Sequence, residues 1–227
     1  MELFRRQWEI YEKFVTHDYL SSMQAYGHLH RRLMDMAARP FRFLDLACGD
    51  ARGIVEALKG TRVAHYHGVD LAPPALDMAR TNLEALPCEV VLEHGDFIEA
   101  MRERPEPADV VWIGLSLHHL DTPGKLDFMG EIRAMIDAEG LFFIYEPTRN
   151  DGEDRDSFLD RFDRTGRRLW TAFTPHEWAT TLSHVRTADL PETASGWLAL
   201  GRAAGFATAE EVFKDPTDLL RMFCYRP

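Results

Sequence analysis

The chain has 227 residues, 45% of them hydrophobic and 28% charged, a composition that suits a folded globular domain and excludes a disordered segment. Its 26 basic and 37 acidic side chains leave a net charge of −11, a field that disfavours nucleic acid as a partner. No apolar run approaches the roughly 18 residues of a membrane span. Three scattered cysteines, Cys48, Cys88 and Cys224, without a CxxC pair or a signal peptide point to a reducing compartment, expected to be the cytoplasm.

Residues 2–38 read as two helices with an aromatic series, Trp8, Tyr11, Phe14, Tyr19 and Tyr26, which precede the first strand and so stand outside any βαβ unit. From about residue 40 to 145 short apolar runs alternate with amphipathic segments, the pattern of a doubly wound α/β sheet. Strands are predicted at 41–46, 62–69, 88–92, 108–113 and 141–145, where β-branched and aromatic residues concentrate. Their nearly continuous apolar character suits a parallel sheet covered by helices on both faces.

Asp50 can cap a helix with Ile54, Val55 and Leu58 on one face, which Gly60 can end in a left-handed turn. Pro73 opens a second helix through Leu76, Ala79 and Leu83, and Thr122-Pro123 a third through Leu126, Met129, Ile132 and Ile136. Residues 147–190 are polar and broken at Asn150-Asp151-Gly152. Within them Arg161, Arg164, Arg167 and Arg168 alternate with Asp160 and Asp163, a solvated helical face or, as the sharper alternative, a pocket for an acidic substrate. Thr174, Pro175 and Glu177 form a capping box ahead of a helix through Trp178 and Leu182. A helix over 193–204 ending at Gly205 and strands at 207–213 and 219–225 complete the chain. The expected organisation is one domain: a helical cap at 1–39, a core at 40–146, a helical insertion at 147–190, and a last helix with two strands at 191–227.

The segment Phe43-Leu44-Asp45-Leu46-Ala47-Cys48-Gly49-Asp50-Ala51 runs from strand through a small-residue turn into a helix, the nucleotide-binding corner of such a sheet. Asp70 closes the second strand and can accept two hydrogen bonds from a ribose diol. Asp96, in Gly95-Asp96-Phe97 after the third, can accept from an exocyclic amine while a neighbouring ring packs on a purine. Each acid alone is equally an ordinary loop residue or helix cap. Three at successive strand ends would line one crevice.

With these residues the chain resembles the class I S-adenosylmethionine-dependent methyltransferases over roughly residues 40–146. Leu44 to Gly49 corresponds to the glycine-rich motif, Val69-Asp70 to the acidic end of the second strand, and Gly95-Asp96-Phe97 to the adenine segment. Ser116-Leu117-His118-His119-Leu120 and Tyr145-Glu146-Pro147 are similar to elements recurrent in small-molecule members. The resemblance implies a seven-stranded, mostly parallel Rossmann-like methyltransferase sheet with its last strand antiparallel, under N-terminal helices and a helical lid. It also implies S-adenosylmethionine as cofactor, a small-molecule acceptor and S-adenosylhomocysteine as product. Asp70, beside Leu71, would hold the ribose, and Asp96 and Phe97 the adenine. Ala47, Gly49, Gly114 and Leu115 would give access to the methionine end, with Asp45 orienting the turn. Ala47 and Ala51 stand where the family often has glycine, each narrowing the turn by a methyl. The missing first glycine of GxGxxG counts against a nicotinamide dinucleotide.

Methyl transfer needs the acceptor held about 3 Å from the methyl with water excluded, and a general base only for some acceptors. His118 and His119 are the candidate bases, the alternative being that one packs and the other caps a helix. Glu146 is a further candidate, or a structural acid. Tyr11, Tyr19, Tyr26, Trp170, Phe173 and Trp178 either line the acceptor pocket or anchor helices to the core, and Arg149 and Arg155 could meet an acceptor carboxylate. The pairs His28/His30 and His65/His67 and the lone His94, His176 and His184 lack a completing ligand set, so no metal is expected. The expected partner is the small-molecule acceptor, with no nucleic acid and no membrane, and with a homodimer as an option. Two rivals are a catalytically silent cofactor-binding or scaffolding protein and an NAD-dependent oxidoreductase.

Overall fold

The computed structural model describes residues 10–36, 39–103 and 106–227. The parts of the predicted N-terminal helices at 2–9, with Trp8, and at 37–38 lie outside them. Residues 10–16 are helical, and α1 (Ser22–Asp35) follows. The strands are β1 (Phe41–Leu46), β2 (Val63–Asp70), β3 (Glu89–His94), β4 (Val110–Gly114), β5 (Leu141–Arg149), β6 (Glu192–Thr193), β7 (Thr208–Lys214) and β8 (Leu220–Arg226). They form one sheet in the order β3-β2-β1-β4-β5-β8-β7, with the two-residue β6 paired to the end of β5. The pairs from β3 to β5 are parallel, and β8 runs antiparallel between β5 and β7. The fold class and the antiparallel last strand are as expected. β5 runs on past the predicted Tyr145, and its added Thr148 and Arg149 carry β6.

Alternation along the strands explains the two-sided burial. Phe41, Phe43, Tyr66, Trp112, Phe143 and Tyr145 face one layer, with α1 and α2 (Arg52–Leu58), while Leu44, Leu46, Val111, Ile113, Phe142 and Ile144 face the other. That second layer holds α5 (Thr122–Met135) and α8 (Ala194–Ala203). The remaining crossovers are α3 (Pro73–Leu83) and α4 (Phe97–Arg102). Because the chain leaves β1 toward β2 on one side and meets β4 on the other, the order reverses there. The loops at the C-terminal ends of the strands then open a crevice.

The insertion forms α6 (Arg155–Leu169) and α7 (Pro175–Ala188), the latter opened by the expected capping box. Gly166 lets the two helices meet, since a Cβ there would lie 2.0 Å from Cη2 of Trp178. The acidic-substrate alternative for α6 finds Arg161 bonded to Glu153 and Arg167 to Asp163. Among the described residues no helix is long and apolar enough to cross a membrane.

Candidate active site

The turn after β1 places Ala47, Gly49 and Ala51 in the left-handed region, at φ 57°, 54° and 55°. Glycine adopts this freely, whereas each alanine is strained by about 1–2 kcal/mol. Ala51 itself occupies the cap position of α2, so Asp50 acts from one residue earlier, its Oδ1 accepting from Arg52 N at 3.1 Å. Its Oδ2 is buried without a hydrogen-bond partner, with the Arg52 guanidinium 3.5 Å away. Tyr11 Oη reaches Asp50 Oδ1 at 3.4 Å and passes over Gly49.

Asp45 and Asp70 come together, and the loop that carries Asp96 is tied to Asp70 by a backbone hydrogen bond. Asp45 is buried beneath the turn and accepts from the Tyr66 hydroxyl at 2.6 Å. Burial pushes its carboxyl up to about 7, against the Tyr66 hydrogen bond and helped by the charge of Asp70. Asp70 accepts from Gly49 N on Oδ2 and from Ala72 N on Oδ1, both at 2.8 Å, and Gly95 N donates to its carbonyl at 3.1 Å. The loops after β1, β2 and β3 are thereby tied to one residue. Asp96 caps α4 through Ile98 N and Glu99 N, and Phe97 packs edge-on against Phe128. Leu71 is exposed beside them, and Gly114 ends β4. Leu115, also left-handed, donates its N–H to Tyr145 O and faces a cavity.

That cavity, of about 470 Å³, lies between the strand ends, the N-terminal helical stretch and the lid. Its wall is apolar at Phe14, Pro147, Phe162, Val185 and Leu220 and polar at Tyr11, Thr180, His118, His119, His184 and Asp189. Glu146 lies behind this wall with no exposed surface. It accepts hydrogen bonds from Ser116 N, Leu117 N and His118 N, at 3.2, 2.9 and 3.3 Å, and faces His118 Nδ1 at 2.6 Å. It shapes the loop and orients the imidazole. His118 Nε2 then faces Asp189 Oδ1 at 3.5 Å, and His119 Nδ1 lies 3.7 Å from the same oxygen. Burial alone would lower the His118 pKa, but the charge and hydrogen bond of Glu146, with Asp189, raise it overall. Burial and the neighbouring His118 lower that of His119, and burial raises that of Asp189 against the three histidines.

The segment carrying Asp189 is held from several sides. Arg155 donates to Asp189 O and Arg186 O, and Arg149 to Pro191 O and Glu153 O. These two arginines bind backbone carbonyls. Lys125, wholly buried, meets Leu190 O and Glu192, and Leu190 N donates to His118 O. Asp189, Thr180 and Lys125 were not foreseen as functional. Lys125 had a signal, because it shares helical spacing with the buried Phe128, Met129 and Ile132. Asp189 follows a lid helix and had none.

Of the six aromatic residues expected at the acceptor, Tyr11 borders the cavity. Trp170 and Trp178, 3% and 4% exposed, sit behind it in a cluster with Phe14, Phe162 and Phe173 that fixes the lid to the core. Tyr19 accepts from Ala172 N and stacks on Trp170. Tyr26 packs over Gly53 and against Trp112. His65 and His67 pair with Glu89 and Glu93, beside a second cavity at the opposite edge of the sheet.

Residues 43–140 match the sequence family described as a methyltransferase domain. These residues, under half of the chain, are similar to a methyltransferase domain, and the mostly parallel sheet is the fold that the chain shares with methyltransferases of known structure. Solved structures of similar fold include the mitomycin 7-O-methyltransferase MmcR, with a TM-score of 0.59 and 16% identity over 91% of this chain and 54% of that one. An O-methyltransferase family protein from Burkholderia thailandensis has a TM-score of 0.60 and 19% identity over 82% and 51% of the two chains. CalO1, a methyltransferase in calicheamicin biosynthesis solved with S-adenosylhomocysteine bound, has a TM-score of 0.60 and 16% identity over 93% and 55%. The chain spans about half the length of these proteins. At such identities the likeness is one of fold. No curated protein sequence matches the chain.

Proposed function

We propose that the protein transfers the methyl group of S-adenosylmethionine to a small-molecule acceptor, leaving S-adenosylhomocysteine, and that residues 1–227 act as one methyltransferase domain. The observation that carries this reading is the convergence on Asp70 of the loops after β1 and β3, joined by Tyr11 to the cavity that holds His118. The cofactor fits what the turn offers. Asp50 Oδ2, a buried acceptor without a hydrogen-bond donor, suits the α-ammonium of the methionine portion. Asp70 would hold the ribose hydroxyls on its remaining lone pairs, and Asp96 with Phe97 the adenine. When bound, the cofactor supplies an electrophilic sulfonium methyl.

The chain's own part is to orient the acceptor and exclude water. The apolar wall sequesters the acceptor, and Tyr11 spans from the turn into the cavity. Glu146 fixes His118, and the group of His118, His119 and Asp189 is where an acceptor hydroxyl would surrender its proton.

Titration calorimetry with S-adenosylmethionine tests the first half. Asp70→Ala is expected to weaken binding more than tenfold, about 1.4 kcal/mol, because a hydroxyl pair loses its acceptor. Unchanged affinity would overturn the assignment. Incubation with labelled cofactor and a metabolite extract tests the second half: transferred label supports catalysis, and binding without transfer supports the silent rival.

A further inference from the structure

We propose that His118 Nε2, His119 Nδ1 and Asp189 Oδ1 bind a divalent first-row transition ion of the zinc, manganese or iron(II) type, with coordination positions left open toward the cavity. The binding itself needs no assumption about methyl transfer. Its chemical purpose rests on that reading: the ion would take an ionisable hydroxyl of the acceptor as a further ligand.

The three donor atoms lie within 4.8 Å of one another, and this is the one such group of donors among the described residues. Ligands about 2.0–2.2 Å from a shared ion stand about 3.0–3.5 Å apart, so the observed 3.5 and 3.7 Å to Asp189 Oδ1 need only slight contraction. Asp189 is 5% exposed, and its Oδ1 has no hydrogen-bond partner. A buried carboxylate oxygen facing two imidazole nitrogens without a satisfied hydrogen bond is a place for a positive centre.

The tautomer agrees with this. Glu146 is bonded to backbone amides on both oxygens, so it accepts from His118 Nδ1–H, leaving the Nε2 lone pair toward Asp189. A carboxylate behind a histidine is the arrangement that orients metal-binding imidazoles and raises their basicity. His119 Nδ1 has a competing long contact of 3.4 Å to Ala188 O, which coordination would replace. Two imidazoles and one carboxylate on one side of an ion select a transition metal over magnesium or calcium and leave further positions free. The ligands are also held in advance, Asp189 by Arg155 and by Lys125 through its neighbour Leu190. An acceptor hydroxyl coordinated there loses its proton to solvent through the open cavity, because the ion stabilises the oxyanion.

The test is to titrate zinc and cobalt(II) separately into the chelator-treated full chain, followed by calorimetry and by the ligand-field absorption of cobalt. About one ion per chain is expected. His119→Ala, at a half-exposed position, and Asp189→Asn should each weaken binding at least tenfold, and Glu146→Gln by about 10- to 100-fold. His65→Ala at the opposite edge should leave it unchanged. Circular dichroism confirms that each variant is folded. Substoichiometric binding, or wild-type affinity in His119→Ala or Asp189→Asn, overturns the proposal. S-adenosylmethionine binding measured on the metal-free protein separates the two readings. Cofactor binding without metal binding overturns this site and leaves methyl transfer standing, whereas metal binding without cofactor binding supports the site and overturns methyl transfer.

Discussion

Replacing Glu146 by glutamine changes one oxygen to an NH2 group while keeping the volume of the side chain. The retained oxygen can still serve Ser116 N and Leu117 N. The new NH2 group then faces His118 N and Nδ1, two groups that now donate to a carboxylate oxygen. A buried hydrogen bond to a charged group contributes about 1.5–3 kcal/mol, and leaving a buried donor unsatisfied costs about 1–3 kcal/mol. The expected loss is therefore about 3–5 kcal/mol, within the range for breaking a buried charged pair. For a chain of this size that lowers the melting temperature by roughly 10 °C. If His118 instead flips tautomer to relieve the clash, Nε2 becomes a donor toward Asp189, stability is partly restored, and the proposed methyl transfer falls. Thermal melting and turnover, measured on the same preparations, separate the two responses. Cofactor affinity should be unaffected in both, since Glu146 touches none of the residues around Asp70. A variant with wild-type melting temperature and wild-type turnover would refute the role given to this carboxylate.

Two further outcomes follow from the turn. Asp45 is held near 7 in the folded chain, against about 3.9 for a free carboxyl, so the native state binds the proton more tightly and stability falls as pH rises between those values. Asp45→Asn keeps an acceptor for Tyr66 and removes that titration. Its denaturation midpoint should therefore decline less than that of the wild type from pH 4 to pH 7, and parallel curves would exclude the effect. Ala47→Gly should raise the melting temperature modestly. About 1–2 kcal/mol of left-handed strain is relieved against about 0.5–1 kcal/mol of added backbone entropy, and a clear drop in differential scanning calorimetry would contradict this.

The sheet was legible because its signal is local. Strands buried on both faces read as apolar runs, and stops such as Gly60 and Gly205, both at positive φ, mark helix ends wherever they fold. The corner after β1 was legible for a related reason: parallel topology brings successive strand ends to one edge, so the segments that carry Asp45, Asp70 and Asp96 were placed together once the strands were placed. What the acids do there was less visible. Asp70 and Asp96 each spend hydrogen bonds on backbone amides, as an ordinary loop acid or cap would, and no pattern of spacing separates that use from ligand binding.

The cavity side failed the same local test. His118 and His119 were visible as a pair after the fourth strand, but their partner Asp189 is about seventy residues away, at the end of a lid helix whose docking depends on Trp178 filling the space above Gly166. The aromatic residues drew attention to themselves as pocket candidates, yet large rings at helical spacing are also what attaches such a lid, and Trp170 and Trp178 serve that purpose. The clearer clue was a polar residue in an apolar stripe. Lys125 costs much to bury, so its presence beside Phe128 and Ile132 requires an acceptor from elsewhere in the chain. Leu190 and Glu192 supply it, and the same contact fixes Asp189 opposite the two histidines.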